Sequence, residues 1–268
     1  TVVRAIRPNL LNRTITDYQN NWARRIQSHP NADTFRAQIV GQRIVDVKRR
    51  AKHIILTLSD DYLLIHLRMT GHLSVVSAET QPDKYVHDIF SLDDGTALHF
   101  RDMRKFGTVA LLTSLDGLEA KLGPEPLEDD FTVAVFVQQL GKRKTKLKPL
   151  LLDQAFVAGI GNIYADEALF LAKLAPTRTA DSLNSAEIAA LHAAIRHVLF
   201  LGVEREGASI TNYVKPDGTK GDMQNAVMVF RRTGFPCYDC GTPIQRIKLA
   251  QRSTHFCPNC QVEAREKK

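Results

Sequence analysis

The sequence predicts an α+β multidomain fold: an N-terminal β-sandwich with flanking helices, a helical domain after it, and a small metal-pinned β-hairpin near the C-terminal end. Three observations lead there. β-Branched and leucine-rich runs of strand length crowd residues 43–112, separated by polar turns. From residue 131 the apolar residues recur at helical spacing. All four cysteines of the 268-residue chain stand in two CxxC pairs between residues 237 and 260.

The strands are RIVDVKR (43–49), HIILTL (53–58), YLLIHL (62–67), HDIFSL (87–92), ALHFRD (97–102) and GTVALL (107–112), with SDD (59–61) and DDG (93–95) as turns. Strands this short and this close make a sandwich or a barrel-like sheet. DTFRAQIVG is a helix within this region, capped by Asp33 and stopped by Gly41. LGPEPLEDD (122–130), with two prolines and four acids, reads as a linker. DFTVAVFVQQLG then runs as a helix from an Asp130 cap to Gly141. In NSAEIAALHAAIRHVLFLGV, Asn184 and Glu187 form a capping-box pattern, and Ile188, Leu191, Ile195, Val198 and Leu199 share one face. The expected domains are therefore 1–121, a linker at 122–130, 131–228 and 229–268.

The bulk numbers bound the function. With 44% apolar and 24% charged residues the chain has ordinary soluble composition, and 268 residues suffice for two domains that each bury a core. A net charge of +7 favours a polyanionic partner, nucleic acid before membrane. No apolar run approaches the length of a membrane span, and TVVRAIRPNLL is charged and lacks a signal-peptide core. Cysteines gathered at one end argue for a metal rather than a disulfide framework, and so for a cytoplasmic protein. Nothing suggests an oligomer, so a monomer is expected.

The C-x2-C-x16-C-x2-C spacing puts Cys237, Cys240, Cys257 and Cys260 around one Zn²⁺. Four thiolates leave no open position, so the metal is structural. Between the pairs, PIQRIK and STHFC form a hairpin with Arg252 at its reversal. An exposed hairpin arginine is ordinarily just solvated. On an element held rigid by a metal, a phosphate contact is the sharper reading.

The remaining candidates each have a bland reading too. KRKTKLKP (142–149) gathers Lys142, Arg143, Lys144, Lys146 and Lys148, and a charge run is ordinarily a solvated face. This one opens the helix LKPLLLDQ and leads into AFVAGIGNIYADEALFLAKL, where Gly159 and Gly161 precede Asn162, and Asp166 and Glu167 read as first-turn acids of a second helix. Two helices joined by a glycine-bearing turn can clamp a phosphate with free N–H groups. Lys52, flanked by Arg49 and Arg50, is either a solvated lysine or a proton carrier whose pKa its neighbours lower. Met69 in HLRMTG suits a core. In RDMRKFG, Arg104 and Phe106 are either a surface arginine beside a buried ring, or a charge and a wedge that fill a gap in a base stack.

Taken together, RRAKHIILTL, HLRMTG, RDMRKFG, LGPEPL, DQAFVAGIGNIYADEALF and AQRSTHFCPNC resemble the bacterial formamidopyrimidine-DNA glycosylases, also called 8-oxoguanine DNA glycosylase/AP lyases. The matching stretches span nearly the whole chain in family order. The resemblance implies a β-sandwich domain, a helix-two-turn-helix domain and a zinc finger, with double-stranded DNA that carries an oxidised purine or an abasic site bound in the cleft between them. It implies base-excision repair by a bifunctional enzyme that removes 8-oxoguanine and formamidopyrimidines and cuts the abasic site by β,δ-elimination through a Schiff base on an N-terminal amine. It assigns Lys52 to the phosphate beside the lesion and to β-elimination. Met69, Arg104 and Phe106 fill the void left by the flipped base, with Arg104 facing the orphaned cytosine. Asn162 and Arg252 grip phosphates, and Arg252 also serves δ-elimination. His66 and Lys144 match further DNA contacts.

Three departures stand out. Tyr85 replaces a histidine that contacts DNA in the family. Thr211, in the lesion-capping stretch GASITNYVKPDGTKGDMQ (207–224), stands where arginine is common. The family's proline nucleophile and the glutamate after it would precede Thr1, and TVVRAIR reads as a short, uncapped helix entered partway. A protein that truly begins at Thr1 is expected to bind lesion and abasic DNA without excising or nicking, and restoring the Pro-Glu segment is expected to recover both activities. The alternatives are an endonuclease VIII-type enzyme for oxidised pyrimidines, a lesion-binding module without catalysis, and a zinc-ribbon transcription factor. The Arg104/Phe106 loop argues against the first, and the last leaves Lys52, Met69 and Phe106 unexplained.

Overall fold

The computed structural model describes residues 1–141, 143–209 and 214–263. The chain divides into two compact units, Thr1–Ala120 with Glu206–Gln224, and Lys121–Arg205 with Asn225–Lys268.

In the first unit α1 (Val2–Leu10) leads into β1 (Ile15–Asn20) and α2 (Ala32–Ile39). β2 (Ile44–Arg50), β3 (His53–Leu58), β4 (Tyr62–His66), β5 (Gly71–Ser77), β6 (Val86–Leu92), β7 (Thr96–Asp102) and β8 (Thr108–Leu112) follow, then the short α3 (Asp116–Glu119). The strands form two antiparallel four-stranded sheets, ordered β1-β6-β7-β5 and β2-β3-β4-β8. One core joins them: Phe90, Leu98 and Phe100 from the first sheet meet Val47, Leu56, Leu63 and Val109 from the second. The sandwich expectation is met.

Local details differ from the sequence reading. β1 (ITDYQN) and β5 (GHLSVVS) were not expected as strands, because each buries little: Ile15 and Tyr18 in one, Leu73 in the other. α2 is capped by Asn31, whose side chain accepts the Thr34 N–H, and Asp33 sits inside its first turn. α1 does not stop before Pro8 but runs through it to Leu10, because Ile6 and Leu10 are both anchored in the core. That packing supplies what so short a helix lacks by itself.

The second unit contains α4 (Val133–Leu140), α5 (Leu147–Leu152), α6 (Asn162–Leu171), α7 (Ser185–Glu204) and the hairpin β9 (Gln245–Leu249)–β10 (Arg252–Phe256). α4 is capped by Thr132 rather than Asp130, and it ends at Gly141 with φ +50°. The capping box of α7 is formed as expected, by reciprocal 2.9 Å bonds between Asn184 and Glu187. α7 is also long and apolar enough to cross a membrane, against the expectation that no run approached that length. Its apolar content is accounted for by packing: Leu191, Ile195 and Val198 join the helical core, and His192 bonds to the Phe131 carbonyl.

The 122–130 stretch is fastened to this unit. Gly123 N–H donates to Gln154 O, Ala158 N–H to Pro124 O, and Arg196 to the carbonyls of Pro126 and Glu128. Glu206–Gln224 instead clusters with the β unit, where His72 Nε2 lies 2.9 Å from Lys215 O. Thr211 lies outside the described residues.

Candidate nucleic-acid interface

The β unit presents a compact tip made from two turns. The β4–β5 turn carries Met69 and the β7–β8 turn carries Arg104 and Phe106. Met69 is 61% exposed and Phe106 52% exposed, so neither is the core residue that its type suggests. The three side chains meet: the Arg104 guanidinium lies 3.3 Å from Met69 Sδ and 4.7 Å from the centre of the Phe106 ring. A cation held between a sulfur and an aromatic face is oriented while remaining open to solvent.

Beneath the tip lies a buried charge cluster that sequence reasoning missed. Asp102 is fully buried and accepts from Thr70 Oγ1, from Arg104 N–H at 3.2 Å and from Gly107 N–H at 2.7 Å. Arg25, also fully buried, lies 3.7 Å from Asp102 and 3.0 Å from Asp88. Asp88 accepts further bonds from Tyr18 and Asn20. Burial pushes the Asp88 carboxyl upward and the Arg25 guanidinium downward, and each holds its partner toward the charged form. Asp102 stands in the quoted motif RDMRKFG and ends a strand of buried residues, which is a readable signal. Arg25 lies in a short 3-10 turn and gives none.

Lys52 occupies the two-residue turn between β2 and β3, after Ala51 at φ +51°. It is exposed, close enough to His66 to depress it. His66 stacks edge-on against His53 at 4.9 Å, and burial first, then Arg68, His53 and Lys52, lower its pKa to about 4. His66 is therefore neutral at pH 7, and its Nδ1 accepts the Arg68 N–H at 3.0 Å. The Tyr85 carbonyl accepts the Asp102 N–H at 2.8 Å, and its ring is flanked by Arg101 at 4.8 Å and Lys84 at 5.2 Å. An open hollow of about 340 Å³ beside the Met69 turn is lined by Thr70, His72, Arg101, Met103 and Val214.

The second unit presents another tip. Asn162 opens α6, and its side-chain amide donates to Ser253 O at 3.0 Å, next to Arg252. Arg252 follows the two-residue turn Ala250–Gln251, both residues at positive φ, as tight hairpins require. Asn162 Oδ1 is buried without a hydrogen-bond partner.

A second buried cluster fixes this corner. Lys148 belongs to it and not to the basic run: it is fully buried, bonded to Asp166 and to Asn162 O at 2.8 Å. Burial pulls the lysine down and Asp166 pulls it back up. Asp166 also accepts from the His255 backbone N–H and faces its ring, both at 3.1 Å, which ties β10 to α6. Asp166 and Glu167 are thus not first-turn acids on a helix surface. Glu167 is buried and accepts the backbone N–H groups of Met228, Val229 and Phe230. Lys144 is exposed between α4 and α5.

The four cysteine sulfurs lie within 4.8 Å of one another, with Cys237–Cys260 at 3.9 Å and Cys240–Cys257 at 3.4 Å. Zn–S bonds of about 2.3 Å in a tetrahedron require sulfurs about 3.8 Å apart, so the set fits one structural zinc. Gln261 braces it from outside, accepting the Cys257 N–H and donating to Leu174 O.

Residues 1–109 match the family described as Formamidopyrimidine-DNA glycosylase N-terminal domain, 122–214 the Formamidopyrimidine-DNA glycosylase H2TH domain, and 234–262 a zinc finger found in FPG and IleRS. The chain is 44% identical over 266 residues to the formamidopyrimidine-DNA glycosylase of Herpetosiphon aurantiacus, covering 98% of this chain and 97% of that protein. It is 48% identical to that of Chloroflexus aggregans, covering 98% and 96%. Among solved structures it resembles the complex between the Lactococcus lactis Fpg and DNA containing an abasic site, at TM-score 0.90, 35% identity and 97% coverage of both chains.

Proposed function

The chain belongs to the formamidopyrimidine-DNA glycosylase family, and from that premise we propose that it excises oxidised purines from double-stranded DNA in the bacterial cytoplasm and cuts the resulting abasic site. The observation that carries the reading is the tip of the β unit. Met69, Arg104 and Phe106 are exposed, in mutual contact and held from below by a buried carboxylate. An exposed wedge with an oriented guanidinium suits the hole left when a nucleotide is flipped from the stack.

In this reading Arg104 donates to the base opposite the hole, and Met69 and Phe106 fill it. Lys52 and His66 face phosphates, His66 as a neutral N–H donor because its pKa is depressed, and Tyr85 offers a hydroxyl. Asn162, Arg252 and Lys144 hold phosphates on the second unit, and the zinc keeps Arg252 in place. Strand cutting follows when an amine attacks C1′, expels the base and forms a Schiff base, after which proton loss at C2′ breaks the 3′ C–O bond. The roles proposed for this chain are proton transfer and phosphate binding at Lys52, and assistance to the 5′ elimination at Arg252.

The test compares duplexes that carry 8-oxoguanine, a formamidopyrimidine or an oxidised pyrimidine, following base release and strand cutting separately. Release of the purines first supports the proposal. Release of pyrimidines alone would favour the endonuclease VIII-type reading, and tight binding with no release a lesion-binding module.

A further inference from the structure

The buried cluster under the β-unit tip does more than fill space. One carboxylate fastens three points of the two turns that carry the tip. Asp102 Oδ1 accepts from Thr70 Oγ1, the residue after Met69, and from the Arg104 N–H. Its Oδ2 accepts from Gly107 N–H, which closes the turn holding Arg104 and Phe106. Thr70 Oγ1 in turn accepts the Arg104 N–H at 3.2 Å. The Met69 turn and the Arg104 turn are therefore joined through Thr70 and Asp102.

Arg25 holds this carboxylate in place from the far side. Its guanidinium lies over the Phe100 ring at 3.9 Å, facing Asp102 and Asp88. The space beside Gly107 is closely filled. A Cβ on Gly107 would come within 2.5 Å of the Phe100 ring and 2.8 Å of Arg25. Arg25 compensates the buried charge of the carboxylate at 3.7 Å, and the carboxylate's hydrogen bonds set where the Arg104 backbone begins.

We infer that Thr70, Asp102 and Arg25 are positioning residues for reading the base opposite the lesion: the buried ion pair, acting through the Thr70 hydroxyl, fixes Arg104 relative to Met69. None of them touches DNA in this account. The inference rests on the proposed role of Arg104.

The sharpest probe is Thr70, because valine matches its shape without the hydroxyl and serine keeps the hydroxyl without the methyl. Affinity is measured for duplexes that carry a stable abasic-site analogue opposite each of the four bases, together with affinity for undamaged duplex and the unfolding temperature. Thr70→Val is expected to reduce the preference for cytosine over the other opposing bases by about fivefold, roughly the net worth of one hydrogen bond, with undamaged-duplex affinity unchanged. Thr70→Ser is expected to keep the preference. Asp102→Asn is expected to reduce it further, since an amide has a single acceptor oxygen and cannot accept from the Arg104 N–H and from the Gly107 N–H at once. Arg104→Ala is the control. If Arg104→Ala loses the preference and Thr70→Val retains it, the positioning role is overturned. If Arg104→Ala itself changes nothing, the proposed role of Arg104 falls, and this inference with it.

Discussion

The two tips solve one problem with different materials. Each presents an exposed cation, Arg104 or Arg252, and each stands on a buried ionic cluster, Arg25/Asp88/Asp102 in the β unit and Lys148/Asp166/His255 in the helical unit. The β-unit tip projects from two turns whose strands belong to a large core. The hairpin that carries Arg252 has only a small one, around Phe170, Val229, Ile244 and two of the cysteines. A core of that size cannot by itself order ten hairpin residues, and the four-thiolate zinc makes up the deficit. The β tip is therefore expected to depend on packing and charge, and the helical tip on metal.

Zinc removal should break the comparison most visibly. Structural zinc sites in small fingers are worth about 10–16 kcal/mol. Cys257→Ser, or a strong chelator, should release the metal, unfold the hairpin and sharply weaken DNA binding. Hydrogen exchange should find the β unit still protected. Retained zinc with full DNA affinity in Cys257→Ser would refute the four-cysteine assignment.

Lys148→Met should come next. It leaves Asp166 buried with only its His255 contacts, and breaking a buried pair typically costs about 3–5 kcal/mol. Denaturant unfolding should show the loss, and Arg252-dependent phosphate binding should weaken with it. A substitution that proves neutral would mean the pair does not hold the corner.

Gly107→Ala is the matching change in the β unit. Overlap with Phe100 and Arg25 predicts about 1–3 kcal/mol of destabilisation, with zinc content untouched. Normal stability would show that the space under the tip is looser than 2.5 Å implies.

The smallest effect separates both tips from ordinary surface charge. Glu187 is paired with Arg178 at 2.6 and 3.0 Å, and that bond first, with the capping-box bond, holds its carboxyl below 4.5. A lowered folded-state pKa means the stabilisation is complete above about pH 4.5 and is lost as pH falls through the folded value. Glu187→Gln should remove about 1 kcal/mol near neutrality and flatten the acid limb of the stability curve. An unchanged acid limb would show that the pair contributes nothing.

The sequence exposed the two tips and hid their foundations. CxxC pairs, the capping box, and the charge and ring of RDMRKFG are local patterns, readable because their chemistry depends on neighbours along the chain. Arg25 joins Asp102 across most of the β unit, and Lys148 joins His255 across most of the helical one. No spacing rule links such partners. Lys148 was read as one cation of a basic run because sequence shows charge and not burial. β1 and β5 escaped notice because strands with one to two buried residues carry almost no period-two signal.

The central claim is that Arg104 reads a base while Arg252 holds a phosphate. Affinity should be measured for abasic-analogue duplexes with each of the four opposing bases, across a range of salt, for Arg104→Ala and Arg252→Ala. Arg104→Ala should lose about 1–3 kcal/mol of preference for cytosine with the salt slope nearly unchanged. Arg252→Ala should weaken all four duplexes alike and reduce the slope by about 1. Uniform loss in Arg104→Ala, or base-dependent loss in Arg252→Ala, would contradict the division of labour.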